Sequence, residues 1–507
     1  MDRSPGASLW TRRRVLKVGV AIAVGGGTAL AAVIAAFEQR SPTAASTAPP
    51  SPGPGPVGHR YRSRPDISPP FVAIAAGSAA APGAATTASG LVFLTPNNGQ
   101  GAGRLIVDTT GEPVWFGPAV DRLVTDFRVL QYAGGPILAW WEGTVSGAGI
   151  GSGEHVLADP SYGELYRIPA ASGRASDLHE LQLTSAGTAL LFADAPVSAE
   201  RFGPGSPPPW QVLDCAIQEI DIWTGRLVWE WHAVDHTSPA ESAVPAPSAA
   251  GEVYDYLHAN SIEVDHDGQL LMSARNTSTV YKIDRQTGEV LWRLGGKRSD
   301  FRMGPGTTFA FQHDARRRED GTITIFDDQV PPTPARAIVL EVDEDAMTAS
   351  LVREYRHPRG LAVTSQGNVQ TLPSGNLFVG WGATPGFTEF AADGRVVFDA
   401  TFEASRQSYR DFRFPWVGRP LGSPAVATER QASGGLVVYA SWNGATEVAS
   451  WEVLDRSAAG GATVLASAPR TGFETAIEVS AAVSQLAVRA RGPEGEELAL
   501  SEPVSVA

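Results

Sequence analysis

One pattern recurs six times along this chain and narrows what it can fold into. A turn of Asp/Gly character is followed by an alternating apolar strand: VDTTGEPVWFG, LADPSYGELYRI, IDIWTGRLVWEW, IDRQTGEVLWRL, VDEDAMTASLVREY and FAADGRVVFDA. The anchors are Gly111, Gly163, Gly225, Gly288, Met347 and Gly394, spaced 47 to 63 residues apart. Glycine supplies the positive φ that tight hairpins need. A second turn and strand precedes each of the later anchors: LQYAGGPILAWW, LTSAGTALLFA, VDHDGQLLMSA, RREDGTITIFD and LPSGNLFVGWG. Each unit therefore carries about four strands. Six such units predict an all-β chain built on a six-bladed β-propeller rather than a solenoid. A pair of β-sandwiches is the structural alternative.

Composition agrees with that class. A chain of 507 residues needs more than one small core. Its 54 Gly, 38 Pro and 13 Trp, with only 19% charged residues, suit turn-rich β structure better than helices. Two Pro/Ala/Ser-rich stretches, 196–211 and 235–254, interrupt the third unit and read as long loops. After Ser423 the alternation continues without the repeat, predicting an immunoglobulin- or fibronectin-like β-sandwich over 423–507. The propeller is expected over 66–422.

The N-terminus reads as an export signal. Arg12, Arg13 and Arg14 within TRRRVLK resemble a twin-arginine motif, and Val18 to Phe37 is an uncharged apolar run of bilayer-spanning length. Residues 1–37 are expected to export the chain and either to be cleaved or to stay as a membrane anchor. Residues 38–65 are a Pro/Ser/Gly-rich spacer. The net charge of −14 argues against nucleic acid as a partner. The single cysteine, Cys215, excludes an intrachain disulfide framework and reads as a small buried core residue.

The repeat makes the histidines interpretable. His179 lies eight residues before Gly187, His258 ten before Gly268, and His313 eight before Gly321. Three consecutive units thus carry His near the start of the first strand, the strand that lines a propeller's channel. His59, His155, His232, His266 and His357 do not share that register. His236, in the second insertion, is also outside that register, and reaching the mouth is its minority reading.

The residues around this register match a known family. D-x-x-H-x-N-S at Asp255–Ser261, S-x-R at Ser273–Arg275 and F-Q-H-D at Phe311–Asp314 resemble the bacterial, sulfate-ester-dependent arylsulfotransferases. RYRSRPDISPPFV and LWRLGGKRSDF are similar to the actinobacterial and fungal branch. The resemblance covers about residues 60–420. It implies a six-bladed propeller that moves a sulfuryl group from an aryl sulfate donor to a phenolic acceptor through a sulfohistidine, without cofactor or metal. His313 matches the nucleophile, and His258 and Asn260 match a pair that contacts the sulfuryl oxygens. Arg275 matches an oxygen-stabilising Arg, and His179 an auxiliary His. The chain lacks that family's N-terminal dimerisation domain and disulfide, and adds the C-terminal sandwich.

These residue types suit the chemistry. A neutral imidazole attacks sulfur and leaves again. Arg275, Asn260 and a protonated His are fixed donors to oxygens that carry spreading charge. His258 or His179 is suited to exchange a proton with the phenol. Tyr254, Tyr256, Trp140, Trp141 and Phe311 are candidates for an aromatic wall, with strand-core packing as the alternative. Three other readings stay open. They are a three-histidine metal site, opposed by Arg275; a quinoprotein-type propeller, which the T-G-x-x-x-W phrases resemble; and a non-catalytic surface propeller that binds a partner.

Overall fold

The computed structural model describes residues 58–506, without 76–87, 98–101, 148, 203–210, 250, 433, 458–462 and 481. The predicted export signal and most of the spacer lie outside these residues. No helix among the described residues is long and apolar enough to cross a membrane. That statement does not reach residues 18–37.

The turns fall where the chain must reverse, and the strands between them pair as antiparallel meanders. One runs Leu123–Tyr132, Gly135–Val145, Gly151–Ala158 and Glu164–Ile168; the next, Ala175–Leu183, Thr188–Ser198, Gln211–Asp221 and Leu227–His232, is joined to it by the Gly153↔Ser176 pair but is counted as a sheet of its own. Ala259–Val264, Leu270–Ala274, Thr279–Ile283 and Val290–Gly295 form another. His313–Arg317, Ile323–Asp327, Arg336–Asp343 and Thr348–Tyr355 follow, then Asn368–Thr371, Leu377–Gly380, Phe387–Phe390 and Val396–Phe402. The first meander is assembled from both ends of this region. Leu91–Leu94, Gly103–Val107 and Pro113–Pro118 receive Phe412–Phe414 as their inner strand. Phe412–Phe414 also packs against Leu377–Gly380 and Leu123–Tyr132.

All six sequence anchors lie in the turn between the third and fourth strands of a sheet. The left-handed position of that turn does not always need glycine. Met347 holds it at φ 50° in the fifth sheet, and Tyr162 rather than Gly163 holds it at φ 67° in the second.

Strand alternation builds the core. Leu270 and Met272 point into a cluster shared with the preceding sheet, whereas Leu271 points into one shared with the next. The same division gives an apolar cluster between every consecutive pair of sheets. One joins the sixth sheet to the first through Phe378, Phe398, Val92 and Leu105. Each such fully buried Leu or Phe stabilises the fold by roughly 1.5–3 kcal/mol.

Both insertions carry structure among their described residues. Thr188–Ser198 and Gln211–Asp221 stay paired out to Ser198↔Gln211, so the hairpin runs into both ends of the first insertion, and Ala199–Phe202 adds a 3-10 turn. The second contains the short helix Ala233–His236, a 3-10 turn at Pro239–Glu241, and Val253–Tyr254, which pairs parallel with Gln211–Val212. Glu241 fastens it to the fourth sheet, accepting from Arg293 Nε at 3.1 Å and Tyr281 Oη at 3.2 Å.

Beyond residue 422 the chain forms two further sheets. Ala425–Arg430, Leu436–Ser441 and Glu474–Val479 make one; Thr463–Pro469, Ser450–Asp455, Gln485–Arg491 and Glu497–Leu500 make the other, with Val504–Ser505 beside Gln485–Arg491. They enclose their own cluster around Val438, Trp451, Ile477 and Val488. Asn443 docks this part on the first sheet, exchanging hydrogen bonds with Phe116 N and O, each 2.9 Å.

Candidate active site

The inner strands are bent where the polar side chains gather. Pairing with the second strand slips between Thr125 and Arg128, Leu191 and Ala193, Ala259 and Ser261, and His313 and Arg316. Asp126, His258, Phe311 and Asp314 adopt left-handed backbone at φ 53–54°. Such non-glycine residues cost on the order of 1–3 kcal/mol each, strain that the surrounding structure must hold.

His179, His258 and His313 come together, and each is held by an aspartate at Nδ1. Asp177 pairs with His179 and also accepts the His179 N–H at 3.1 Å and the Gly151 N–H at 2.7 Å. Asp255 lies 2.5 Å from His258 Nδ1, and Asp328 lies 2.6 Å from His313 Nδ1. The His179 and His258 rings meet edge to face with centroids 5.0 Å apart. Among the described residues, Nε2 of His179 and of His258 takes no hydrogen-bond partner.

For His313 the surroundings settle the tautomer. The Gln366 N–H points at Nε2 from 3.3 Å. A main-chain N–H is only a donor, so Nε2 presents a lone pair and the ring proton sits on Nδ1, facing Asp328. Burial, then the charges of Arg275, His179, His258 and Arg410, push the His313 pKa well below its ordinary value. The ring is neutral at neutral pH. Burial pushes Asp328 upward, and the Arg275 charge opposes that rise. Burial also lowers His179, with Asp177 opposing.

Arg275 follows the strand Leu270–Ala274. Its guanidinium lies 4.9 Å from the Phe311 ring centroid and donates to Asn276 Oδ1 at 3.0 Å and Thr364 O at 3.1 Å. The segment Thr364–Gln366 therefore touches both Arg275 and His313.

Asn260 is placed differently from the expected sulfuryl contact. It is fully buried, and both ends of its amide are engaged by main chain. Nδ2 donates to Gln312 O at 2.8 Å, and Oδ1 accepts from Asp314 N at 3.4 Å. Asn368 does the same two sheets further on, clasping Asp411 O and N at 2.8 and 3.0 Å. The amide is consumed by the framework, where it locates the His313 backbone.

Beneath the histidines lies a buried network that sequence reasoning missed. Arg128, Arg316 and Arg410 interleave with Asp126, Glu180 and Asp314. Arg128 meets Glu180 at 2.5 Å, Arg410 meets Asp126 at 3.1 Å and Asp314 at 3.4 Å, and Arg316 meets Asp314 at 2.7 Å. Burial would raise the Glu180 pKa, but the Arg316, Arg410 and Arg128 charges overcome it and hold the group ionised. A D-x-R phrase recurs at three inner strands, as Asp126-x-Arg128, Asp314-x-Arg316 and Asp411-x-Arg413, and was the available signal. Of the aspartates on the histidines, Asp255 stood in the D-x-x-H-x-N-S motif, whereas Asp177 and Asp328 share no offset with it.

Of the aromatic candidates, Trp140, Trp141, Tyr254 and Tyr256 are core residues, exposed by 5% or less. Phe311 alone of the five stays partly open, beside Arg275. His236 stacks on Trp231 at 5.2 Å, close to Gly288. Cys215 is buried. Among the described residues no group of three His, Cys, Asp or Glu is disposed to hold a metal ion.

Comparison with known proteins gives one strong likeness. The family model described as Arylsulfotransferase (ASST) matches residues 128–403, more than half of the chain. No curated protein matches it. Among solved structures, a protein of unknown function from Bacteroides caccae is 14% identical, with 64% of this chain and 98% of that one covered and a TM-score of 0.41. A catalytically inactive virginiamycin B lyase from Staphylococcus aureus is 10% identical, covering 64% and 85%, with a TM-score of 0.26. An exo-beta-1,3-galactanase from Phanerochaete chrysosporium is 8% identical, covering 82% and 100%, with a TM-score of 0.30. With TM-scores this low, the architecture above rests on the strand pairings alone.

Proposed function

The chain belongs to the arylsulfotransferase (ASST) family, and on that premise we propose that it carries a sulfuryl group from an aryl sulfate to a phenol in two steps through His313. The observation that carries this reading is the His313 tautomer, with its Nδ1–H on Asp328 and the Nε2 lone pair exposed to a donor. In the first step Nε2 bonds to sulfur, the S–O(aryl) bond breaks, and the departing phenolate takes a proton from His258 or His179. The sulfurylated ring is cationic at Nδ1–H, and the Asp328 carboxylate balances that charge. In the second step an acceptor phenol gives its proton to the same histidine while its oxygen bonds to sulfur. The N–S bond then breaks, and His313 regains its lone pair.

Charge spreads over the nonbridging oxygens in a loose transition state. The Gln366 N–H points at Nε2, and Arg275 holds the same segment through Thr364 O, so both are suited to donate to those oxygens. A bound sulfuryl group would replace Thr364 O on Arg275 and His313 Nε2 on Gln366. Asn260 serves by position, not contact.

The six meanders, closed by Phe412–Phe414 and by the cluster between the last sheet and the first, support a six-bladed propeller. The two sheets after residue 422 around one core support a β-sandwich. Export by the twin-arginine route remains part of this proposal, since an aryl sulfate donor suits a compartment without nucleotide-activated sulfate.

The test incubates the purified full chain with p-nitrophenyl sulfate and phenol. Acceptor-dependent release of p-nitrophenol, with the mass of one SO3 group on His313 and neither effect in His313→Ala, is the expected result. A folded protein that releases nothing across several donors and acceptors would sink the reading.

A further inference from the structure

Away from the histidines, a cavity of about 430 Å³ lies where the first sheet meets the second, lined by Arg104, Arg122, Arg167, Glu142, Val120 and Val124, among others. Arg122 and Arg167 are matched by carboxylates. Arg167 meets Glu142 at 2.6 Å and Glu154 at 2.8 Å, and Arg122 meets Glu154 at 3.5 Å. Arg104 is not. Its Nε is enclosed without a hydrogen-bond partner, and among the described residues no carboxylate comes within ion-pair distance of its guanidinium. The charge instead lies over aromatic faces, 4.2 Å from the Trp140 centroid and 5.4 Å from that of Trp115. Room for this arrangement comes from Gly117, where a Cβ would meet Trp115 at 2.5 Å and an Arg104 terminal nitrogen at 3.1 Å.

We propose that this cavity is a binding site for a small organic anion, whose carboxylate or sulfuryl head docks on the Arg104 guanidinium and whose apolar body lies against Val120 and Val124. An unpaired guanidinium held by aromatic rings leaves its terminal N–H groups for an acceptor that the protein does not supply. Three guanidiniums face one carboxylate across the lining, and that carboxylate, Glu142, is held by Arg167 and by Trp140 Nε1 at 3.2 Å. The cavity borders the connection that leads into Leu123–Tyr132. His258 and His313 stand at the corresponding entries to their own inner strands, so the anion site and the histidines open at the same end of the repeat.

The proposal does not depend on the reaction, and binding tests it directly. Trp140 and Trp115 flank Arg104, so tryptophan-selective fluorescence reads the site. Sodium benzenesulfonate and sodium benzoate are titrated separately, at constant ionic strength, into the full chain and into Arg104→Met, Arg104→Lys and Arg275→Met. The expected result is a saturable emission change with at least one anion in wild type, unchanged in Arg275→Met and weakened at least tenfold in Arg104→Met. Arg104→Lys, which keeps the charge and a well-packed stem, should bind between the two and guards against a fold defect. The benzoate and benzenesulfonate arms separate a carboxylate ligand from a sulfuryl one. No saturable binding in wild type, equal binding in Arg104→Met, or loss confined to Arg275→Met would each overturn the assignment. Absence of sulfuryl transfer with binding intact would instead count only against the reaction.

Discussion

Asn260 grips the peptide on both sides of His313, its Nδ2 2.8 Å from Gln312 O and its Oδ1 3.4 Å from Asp314 N. One buried amide on the fourth sheet thus sets the position of a ring carried by the fifth. Gln312 reinforces it from below, donating to Ser273 Oγ, Ala274 O and Thr279 O at 3.0–3.1 Å.

Asn260→Ala should leave a buried carbonyl and a buried N–H unpaired. The expected cost is about 2 kcal/mol of stability, read from denaturant midpoints. Because the amide locates His313 rather than touching substrate, kcat should fall while KM for the aryl sulfate changes little. A large rise in KM with kcat preserved would return Asn260 to a substrate-contact role.

Asp328→Asn replaces an acceptor by a group able to donate to Nδ1, which favours the tautomer with its proton on Nε2. The burst of p-nitrophenol release should slow by about 10³-fold. Asp328→Ala, which imposes neither tautomer, should slow it less.

The lowered His313 pKa predicts an unusual pH profile. A base with a depressed pKa stays neutral as pH falls, so the burst rate should stay level through the ordinary histidine range near pH 6.5 and decline only at more acidic pH. Burial is the chief cause and the Arg275 charge the next. Arg275→Met should therefore move the acid limb toward higher pH as well as lowering the rate. Single-turnover release between about pH 5 and 8 decides it.

His155 makes a separate prediction about stability. It is 1% exposed, its Nε2 has no partner, and burial chiefly, with help from Arg128, lowers its pKa to about 3. Below about pH 6.5 the unfolded chain takes up a proton that the folded one refuses, so stability falls by about 1.4 kcal/mol per pH unit. His155→Leu removes that penalty. Relative to wild type it should gain about 2 kcal/mol on going from pH 8 to pH 5, measured by chemical denaturation at both pH values.

Arg410 is fully buried between Asp126, Glu180 and Asp314. Arg410→Met strands their charges and should cost about 3–5 kcal/mol. Adding Glu180→Gln should recover part of that loss, so a double-mutant cycle of unfolding midpoints should give a combined cost smaller than the sum of the two single ones.

The amino-acid sequence by itself determined where the chain turns and which faces of its strands are apolar. Both depend on residues close together in the chain: Asp/Gly turns admit left-handed backbone, and alternation has a period of two. That is why all six anchors fall between third and fourth strands, even where Met347 stands in place of glycine. Near-equal offsets of eight, ten and eight residues also place His179, His258 and His313 on or beside the inner strands of three consecutive meanders. Only the tertiary structure decided what those histidines face. Pairing of Phe412–Phe414 with Leu91–Leu94 carries the adjoining Arg410 to Asp126 and Glu180, more than two hundred residues away in the chain. Bulges in the inner strands turn Asp126 and Asp314 inward by breaking the local period. The aspartates at Nδ1 come from two residues before His179, three before His258 and fifteen after His313, spacings that no local rule connects. Asn260 shows the difference most plainly: its motif marked it for the site, but whether its amide faced substrate or backbone depended on a neighbouring sheet 52 residues further along the chain.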